Sequence, residues 1–196
     1  MERTNATAAA SAEVIRGAGN AEQCRAEGRY FVECRGPDGE LKWADEAPNV
    51  VCTAGKNVML DAISSAYTPV GPYLGLISSV GYSAVAAGDT MSSHSGWNEA
   101  GNGVNYPNWS TPASNARGTP SWSAASSGSK AISSAVSFTI ATNGGTVKGC
   151  FLVFASGAVT TNASTAGTLL SAGTFSGGDK VVSIGDTLNV SYSLAL

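Results

Sequence analysis

A single histidine is the residue in this sequence best suited to nucleophilic or acid–base chemistry. His94 follows Asp89 by five positions and has serines on both sides, which are the residue types of a hydrolase triad. The chain contains no Gly-x-Ser-x-Gly elbow, and serine is too abundant for its proximity to be informative. We therefore expect His94 to pack in a turn before Trp97, and an enzyme acting through His94 is only a third hypothesis.

Carboxylates are the next candidates for chemistry. Only Asp89, Glu99, Asp179 and Asp186 follow Asp61 in the sequence. A glycoside hydrolase needs two carboxylates that face each other across a cleft, and nothing in this spacing pairs them. Asp179 and Asp186 each follow a glycine between predicted strands, where aspartate accepts backbone N–H bonds. We predict turn roles for both and no catalytic residues.

Four cysteines could hold a metal or form disulfides. Cys24, Cys34, Cys52 and Cys150 lack the short Cys-x-x-Cys spacing of zinc sites. Cys34 and Cys150 fall in strand-like runs, where cysteine usually serves as a small buried hydrophobe. A Cys24–Cys34 disulfide would need an oxidising environment. We predict four free thiols, and neither a metal nor another cofactor.

Aromatic residues are scattered through residues 95–128, the least periodic part of the chain. Their ring faces could stack on sugar C–H groups, with nearby asparagines adding hydrogen bonds. Alternatively, they fill the core or a subunit interface, which is the interpretation we favour. The candidate glycan or interface contacts are Trp97, Tyr106, Trp109 and Trp122.

Charge excludes some partners and divides the chain. The 196 residues carry a net charge of -3, so no global positive field attracts nucleic acid or an anionic membrane. No apolar run approaches the roughly 18–20 residues of a membrane span. We therefore expect neither nucleic acid nor a membrane as a partner.

The charged residues also indicate the domain organisation. Residues 1–61 hold seven Lys/Arg and ten Asp/Glu, whereas residues 62–196 hold four of each. A charged segment solvates itself, but a neutral Ser/Thr/Gly-rich segment must satisfy its polar groups within sheets. We predict an N-terminal arm (1–28), a charged hairpin with a short helix (29–66) and a β-sandwich domain (67–196).

Alternation of apolar and polar side chains locates the strands of the charged hairpin predicted at residues 29–66. Residues 30–35 and 40–43 alternate on either side of a Gly-Pro-Asp-Gly turn, which predicts a β-hairpin. Residues 49–52 add a possible strand. Thr53 is then predicted to cap a helix whose apolar residues, Met59, Leu60 and Ile63, share one face.

The rest of the chain consists of short strand-like runs separated by turns, with one possible helical turn at residues 89–94. Residues 136–140 alternate, a turn follows at residues 143–145, and residues 147–154 return the chain as a more buried strand. Further strands are predicted at residues 72–77, 169–175, 181–184 and 188–196. This spacing indicates a mainly β protein with a β-sandwich or jelly-roll-like domain, preceded by the β-hairpin, the short helix and the arm.

Several segments carry a family resemblance: GPDG (36–39) with LKW (41–43), GKNVMLD (55–61), YLGLI (73–77), AGDTM (87–91) with HSGW (94–97), GCFL (149–152) and GDTLNVSY (185–192). Taken together they resemble small structural proteins of tailed-bacteriophage virions. The resemblance spans about residues 29–196. It implies a virion component, assembled in the host bacterial cytoplasm, for which no family catalytic residues carry over.

Composition and resemblance together favour a head decoration (cement) protein. Such a protein bridges subunits of the major capsid protein, or contacts other virion proteins, and we expect a homo-oligomer, either a trimer or a dimer. The candidate capsid contacts are Arg16, Arg25, Arg29 and Trp43. The alternative is a tail or head-fibre component whose aromatic residues bind host-surface carbohydrate.

Overall fold

The computed structural model describes residues 26–64 and 70–196. The predicted arm lies almost wholly outside the described residues, as do Cys24 and the candidate contacts Arg16 and Arg25. The mainly β fold predicted from the sequence is confirmed. The described elements are β1 (Glu27–Arg35), β2 (Leu41–Val51), α1 (Thr53–Ile63), β3 (Tyr73–Ser78), β4 (Asn98–Glu99), β5 (Trp109–Thr111), β6 (Ser121–Trp122), β7 (Ser129–Ser134), β8 (Val136–Ile140), β9 (Gly145–Phe154), β10 (Thr168–Thr174), β11 (Lys180–Val182) and β12 (Thr187–Ala195). In this part of the chain, no helix is long and apolar enough to cross a membrane.

Two antiparallel layers share strand β2. Residues 41–48 of β2 pair with β1, and residues 49–51 pair with β10. We call the first layer the front sheet; it contains β1, β5, β7, β8, β12 and the first part of β2. The back sheet contains β3, β4, β9, β10, β11 and the end of β2. Because β2 passes from one sheet to the other, the layers are covalently joined through a strand.

The predicted β-hairpin is confirmed as β1 and β2. Its turn closes through hydrogen bonds between Gly36 and Glu40 and between Gly39 and Gly36. Strand β1 also pairs along its whole length with β12, from Glu27 opposite Ala195 to Arg35 opposite Thr187. Strands on the two sides of the predicted 66/67 boundary are therefore hydrogen-bonded neighbours.

The connection between β8 and β9 differs from the sequence-based prediction. β8 pairs with β5 and β12, whereas β9 pairs with β3, β10 and β11. The turn at residues 143–145 therefore leads from one sheet to the other, and the predicted return strand is not a partner of β8. The burial patterns give the reason: β8 alternates and suits a sheet with one open face, while the end of β9 is buried continuously.

The main core fills the space between the two sheets. Residues of both layers are completely or almost completely excluded from solvent, and burial of their apolar surface stabilises the fold. The main contributors are Tyr30, Val32, Phe138, Leu188 and Val190 from the front sheet and Leu74, Leu76, Cys150, Leu152 and Leu170 from the back sheet.

A second cluster covers the outer face of the back sheet. Ile77, Phe151 and Val153 of this sheet pack with Met91 and Trp97, which belong to the loop between β3 and β4. Residues 89–94, predicted as a possible helical turn, form tight turns with a bridge between Thr90 and Ser93 instead. The back sheet is thus buried on both faces, whereas residues 26–64 and 70–196 cover the front sheet on one face only.

Helix α1 packs against β10 through its first turn. Gly55 is its buried residue, and a Cβ there would lie 2.7 Å from the carbonyl oxygen of Leu170. One expectation is corrected: Thr53 is not the cap, because the N-cap is Cys52 and makes no side-chain capping bond. Of the three apolar residues predicted to share a face, Met59 packs partly buried against the main core, whereas Leu60 is 65% and Ile63 83% exposed.

Candidate interaction surface

The outer face of the front sheet is the broad open surface that the two-layer fold leaves uncovered. Side chains alternate along a strand, so the buried residues Tyr30, Val32 and Cys34 place their neighbours in β1 on the solvent side. The paired strands extend this surface in register. We call it the front face; its residues are Arg29, Phe31, Glu33, Arg35, Ala44, Glu46, Ser137, Thr139, Thr187, Asn189, Ser191 and Ser193.

An aromatic ring lies in the middle of the front face. Phe31 is 46% exposed and is flanked by Glu46 on β2 and Ser191 on β12. An apolar ring of this size on an otherwise polar sheet gains free energy when a partner covers it. Phe31 is thus the most evident anchor for an interaction on this face.

Charged pairs border the ring. Arg29 binds Glu46 at 2.7 Å, and Arg35 binds Glu33 at 3.1 Å. All four side chains are substantially exposed, so these pairs contribute little to stability. Both signs of charge are therefore presented to a partner around Phe31.

Hydroxyl and amide groups make up the other half of the front face. Ser137 Oγ donates to Asn189 Oδ1 at 2.7 Å, and the hydroxyls of Thr139 and Thr187 are 3.4 Å apart. Short side chains of this type project little above the sheet. They can exchange hydrogen bonds with a partner at a small loss of side-chain entropy.

The candidate capsid contacts do not share one face. Arg29 belongs to the front face, but Trp43 lies opposite the buried Cys34 and points to the inner side. The Trp43 ring packs edge-on against Phe175 at 5.8 Å and lies 5.7 Å from Lys180 Nζ. Trp43 therefore closes the border of the core, and of the four candidates Arg29 is the one that the front face includes.

The aromatic residues proposed as glycan or interface contacts lie in separate places. Trp97 and Trp109 are 1% and 2% exposed and belong to two different core clusters, which fits the core packing favoured from the sequence and leaves neither ring available to a glycan. Trp109 packs edge-on against Phe138 at 5.3 Å, and its indole N–H donates to Ala116 O at 2.9 Å. Tyr106 is 37% exposed, and Trp122 is half-buried against Tyr192. The four rings therefore do not form a common platform.

His94 and Asp89 do not form a catalytic pair. The imidazole stacks on Trp97 with ring centroids 3.9 Å apart, and its Nδ1 lies 3.0 Å from the Trp97 carbonyl oxygen. Asp89 Oδ2 accepts the indole N–H of Trp97 and the backbone N–H of Ala86, each at 2.9 Å. Both side chains hold the loop that covers the back sheet, as the packing role predicted for His94 requires.

The two late aspartates differ in role. Asp186 is 1% exposed, and its Oδ2 accepts the backbone N–H of Ser183 at 2.8 Å, which confirms the predicted turn role. The same oxygen accepts a hydrogen bond from Lys42 Nζ at 2.6 Å. That bond to Asp186 raises the pKa of Lys42. Asp179 instead forms an ion pair with Lys148. Within residues 26–64 and 70–196, no three His, Cys, Asp or Glu side chains are grouped to hold a metal ion.

Phe31 is a functional candidate that was not predicted from the sequence. The signal was present, because Phe31 occupies the same phase of the alternation as Arg29, Glu33 and Arg35. An apolar residue in the polar phase of an amphipathic strand marks a place where apolar surface stays exposed.

Comparison of the chain with protein-family models, curated protein sequences and solved structures finds no match. The functional argument therefore rests on the residues and their geometry.

Proposed function

We propose that this chain is a non-enzymatic structural protein of a tailed-bacteriophage virion, and specifically a capsid decoration protein that binds neighbouring subunits of the major capsid protein. The observation that supports this proposal is the front face, an exposed polar sheet surface with the ring of Phe31 at its centre.

The front face has the composition of a specific protein interface. Such interfaces combine an aromatic anchor with a polar surround that supplies hydrogen bonds and excludes water. Phe31 supplies the anchor, while the hydroxyls of β8 and β12 and the exposed pair of Arg29 and Glu46 supply the surround. The surface spans β2, β1, β12 and β8, strands spaced by about 4.8 Å, which suits a broad contact rather than a small-molecule pocket.

The back sheet supports the same role by making the molecule rigid. Its strands are buried on both faces, by the front sheet and by the loop that carries Trp97. A sheet surface backed by a packed core and a second sheet binds without the entropy cost of ordering a mobile segment. A protein that reinforces a shell needs this rigidity.

The test is binding to capsids assembled from the major capsid protein of the same phage. We expect the wild-type chain to co-sediment with these particles and Phe31→Ala to bind at least about tenfold more weakly, because an aromatic anchor is lost. The matched control is Val181→Ala, which truncates a side chain of the back sheet that is 67% exposed. It should bind like the wild type.

Two results would overturn the proposal. One is a wild-type chain that does not bind these particles although its circular dichroism spectrum shows a folded β protein. The other is equal binding by the Phe31→Ala variant. A particle map that places the chain on a tail or fibre would favour the carbohydrate-binding alternative, in which Tyr106 and Trp122 remain the accessible candidates.

A further inference from the structure

An open apolar groove lies beside helix α1. It has a volume of about 770 Å³ and is formed by one side of the helix together with the chain at the start of β1 and the end of β12. Its lining residues are Ala26, Glu27, Lys56, Met59, Leu60, Ala62, Ile63 and Leu196. Three of these, Leu60, Ile63 and Leu196, are exposed by 65%, 83% and 64%.

Exposure of three large aliphatic side chains around one groove is costly in water. Scattered apolar residues are normal on a protein surface, but a contiguous apolar patch usually marks an interface. The close approach of Gly55 to β10 holds α1 with these residues outward, and no segment within residues 26–64 and 70–196 covers them. Their burial therefore requires a surface outside the described residues.

Charge indicates what that surface is. Two of the residues that line the groove are charged, Glu27 and Lys56, and their charges have opposite signs. Within the described chain, neither of them belongs to an ion pair. In a two-fold contact each residue meets its counterpart reciprocally, so Lys56 of one copy can face Glu27 of the other, and the reverse. A groove with aliphatic walls and one unpaired charge of each sign is complementary to itself.

We propose that this groove is the interface of a two-fold homodimer. Leu60 and Ile63 of each copy enter the groove of the other, with Lys56 and Glu27 paired across the border. The residues that define the front face do not line the groove, although Glu27 lies in the same phase of β1 as Arg29 and Phe31. If the proposed capsid role holds, one dimer carries two capsid-binding surfaces; the dimer itself does not depend on that role.

The first test is sedimentation of the full chain over a wide range of concentration. We expect a monomer–dimer equilibrium that Leu60→Asp and Ile63→Asp each weaken at least about tenfold, because a charge would have to be buried in the contact. Val181→Asp is the matched control, since Val181 is also an exposed aliphatic residue but lies on the back sheet. It should dimerise like the wild type.

The second test exchanges the charges and involves no core residue. Lys56→Glu and Glu27→Lys should each weaken the dimer, and the double variant should restore it, because the pair across the interface is reversed rather than removed. The proposal is overturned if the wild-type chain stays monomeric, if it forms a trimer or larger assembly, or if either Asp variant or the charge exchange leaves self-association unchanged. In the monomeric variants, binding of capsids through Phe31 should persist with lower avidity, which separates failure of the dimer from failure of the capsid proposal.

Discussion

The guanidinium of Arg117 binds the carboxylate of Glu99 through two hydrogen bonds, from Nε at 2.9 Å and from Nη2 at 2.8 Å. Both side chains are buried, with 0% and 5% exposure. Arg117 also donates to the carbonyl oxygens of Val159 and Ser164, and its guanidinium lies 5.4 Å from the centre of the Phe151 ring. This ion pair joins β4, at the border of the back sheet, to the segment between β5 and β6, and the bonds to Val159 and Ser164 connect both to the loop after β9.

Loss of Arg117 should be strongly destabilising. Arg117→Met leaves the buried carboxylate of Glu99 without its counter-ion, and we expect the free energy of unfolding to fall by about 3–5 kcal/mol. Urea denaturation measures this. Arg29→Ala, which breaks an exposed pair, should cost about 1 kcal/mol or less. The Glu99→Gln, Arg117→Met double variant should lose less than the sum of the two single changes, and additive losses would show that the groups are not coupled.

Gly55 should not tolerate alanine although it lies in a helix. Replacing a helical glycine by alanine normally stabilises by up to about 1 kcal/mol. Here the new Cβ would lie 2.7 Å from Leu170 O, so we expect Gly55→Ala to lower the thermal midpoint instead. Asn57→Ala, at an exposed position of the same helix, should leave the midpoint unchanged or raise it. A rise for Gly55→Ala would show that α1 can move away from β10.

Asp45 should contribute to stability against acid. Burial acts to raise the pKa of Asp45, but hydrogen bonds from Lys180, Ser176 and the backbone of Glu46 and Gly177 outweigh it, so the pKa lies below the ordinary 3.8. A lowered carboxylate pKa means that the unfolded state takes up the proton first as the pH falls. The stabilisation is complete above about pH 5 and is lost from about pH 4 down through the folded pKa.

The comparison for this acid effect is Asp45→Asn. Its free energy of unfolding, measured by urea denaturation at a series of pH values, should be lower than that of the wild type near neutral pH and should decline less steeply in acid. Parallel curves for the two proteins would mean that Asp45 has the same pKa in the folded and unfolded states.

The buried thiols should be inert in the folded protein. Burial raises the pKa of Cys34 and of Cys52 to about 11, helped by nearby Asp186 and Asp89, and it raises the pKa of Cys150 further. In a Cys24→Ser background, Ellman's reagent at pH 8 should therefore react slowly with the native chain. After denaturation it should detect three reactive thiols per chain. A rapid phase in the native protein would contradict this burial.

Local patterns in the sequence predicted much of the front sheet. The hairpin of β1 and β2 follows from alternation on either side of a Gly-Pro-Asp-Gly turn, which are signals within a few residues of each other. The turn role of Asp186 follows in the same way, because its backbone partner Ser183 is three residues away. Arg29 was selected as a charged hairpin residue and lies on the front face.

Features that depend on distant pairing could not be predicted. The contrast between the alternating β8 and the continuously apolar end of β9 is visible locally, but their membership of different sheets is decided by distant pairing with β12 and β3. The pairing of Glu99 with Arg117 has no signal either, since both lie in a stretch without periodicity. The close approach of Gly55 to β10 could not be predicted, because it depends on the position of Leu170, more than 100 residues away.

The position of β1 also determines when the molecule can finish folding during synthesis. β1 can pair with β2 as soon as both leave the ribosome, but its second neighbour is β12, which is synthesised more than 150 residues later. Until β12 emerges, β1 is an open edge on which other nascent chains could add a strand. Closure of the front sheet, and with it completion of the front face, must therefore wait for β12.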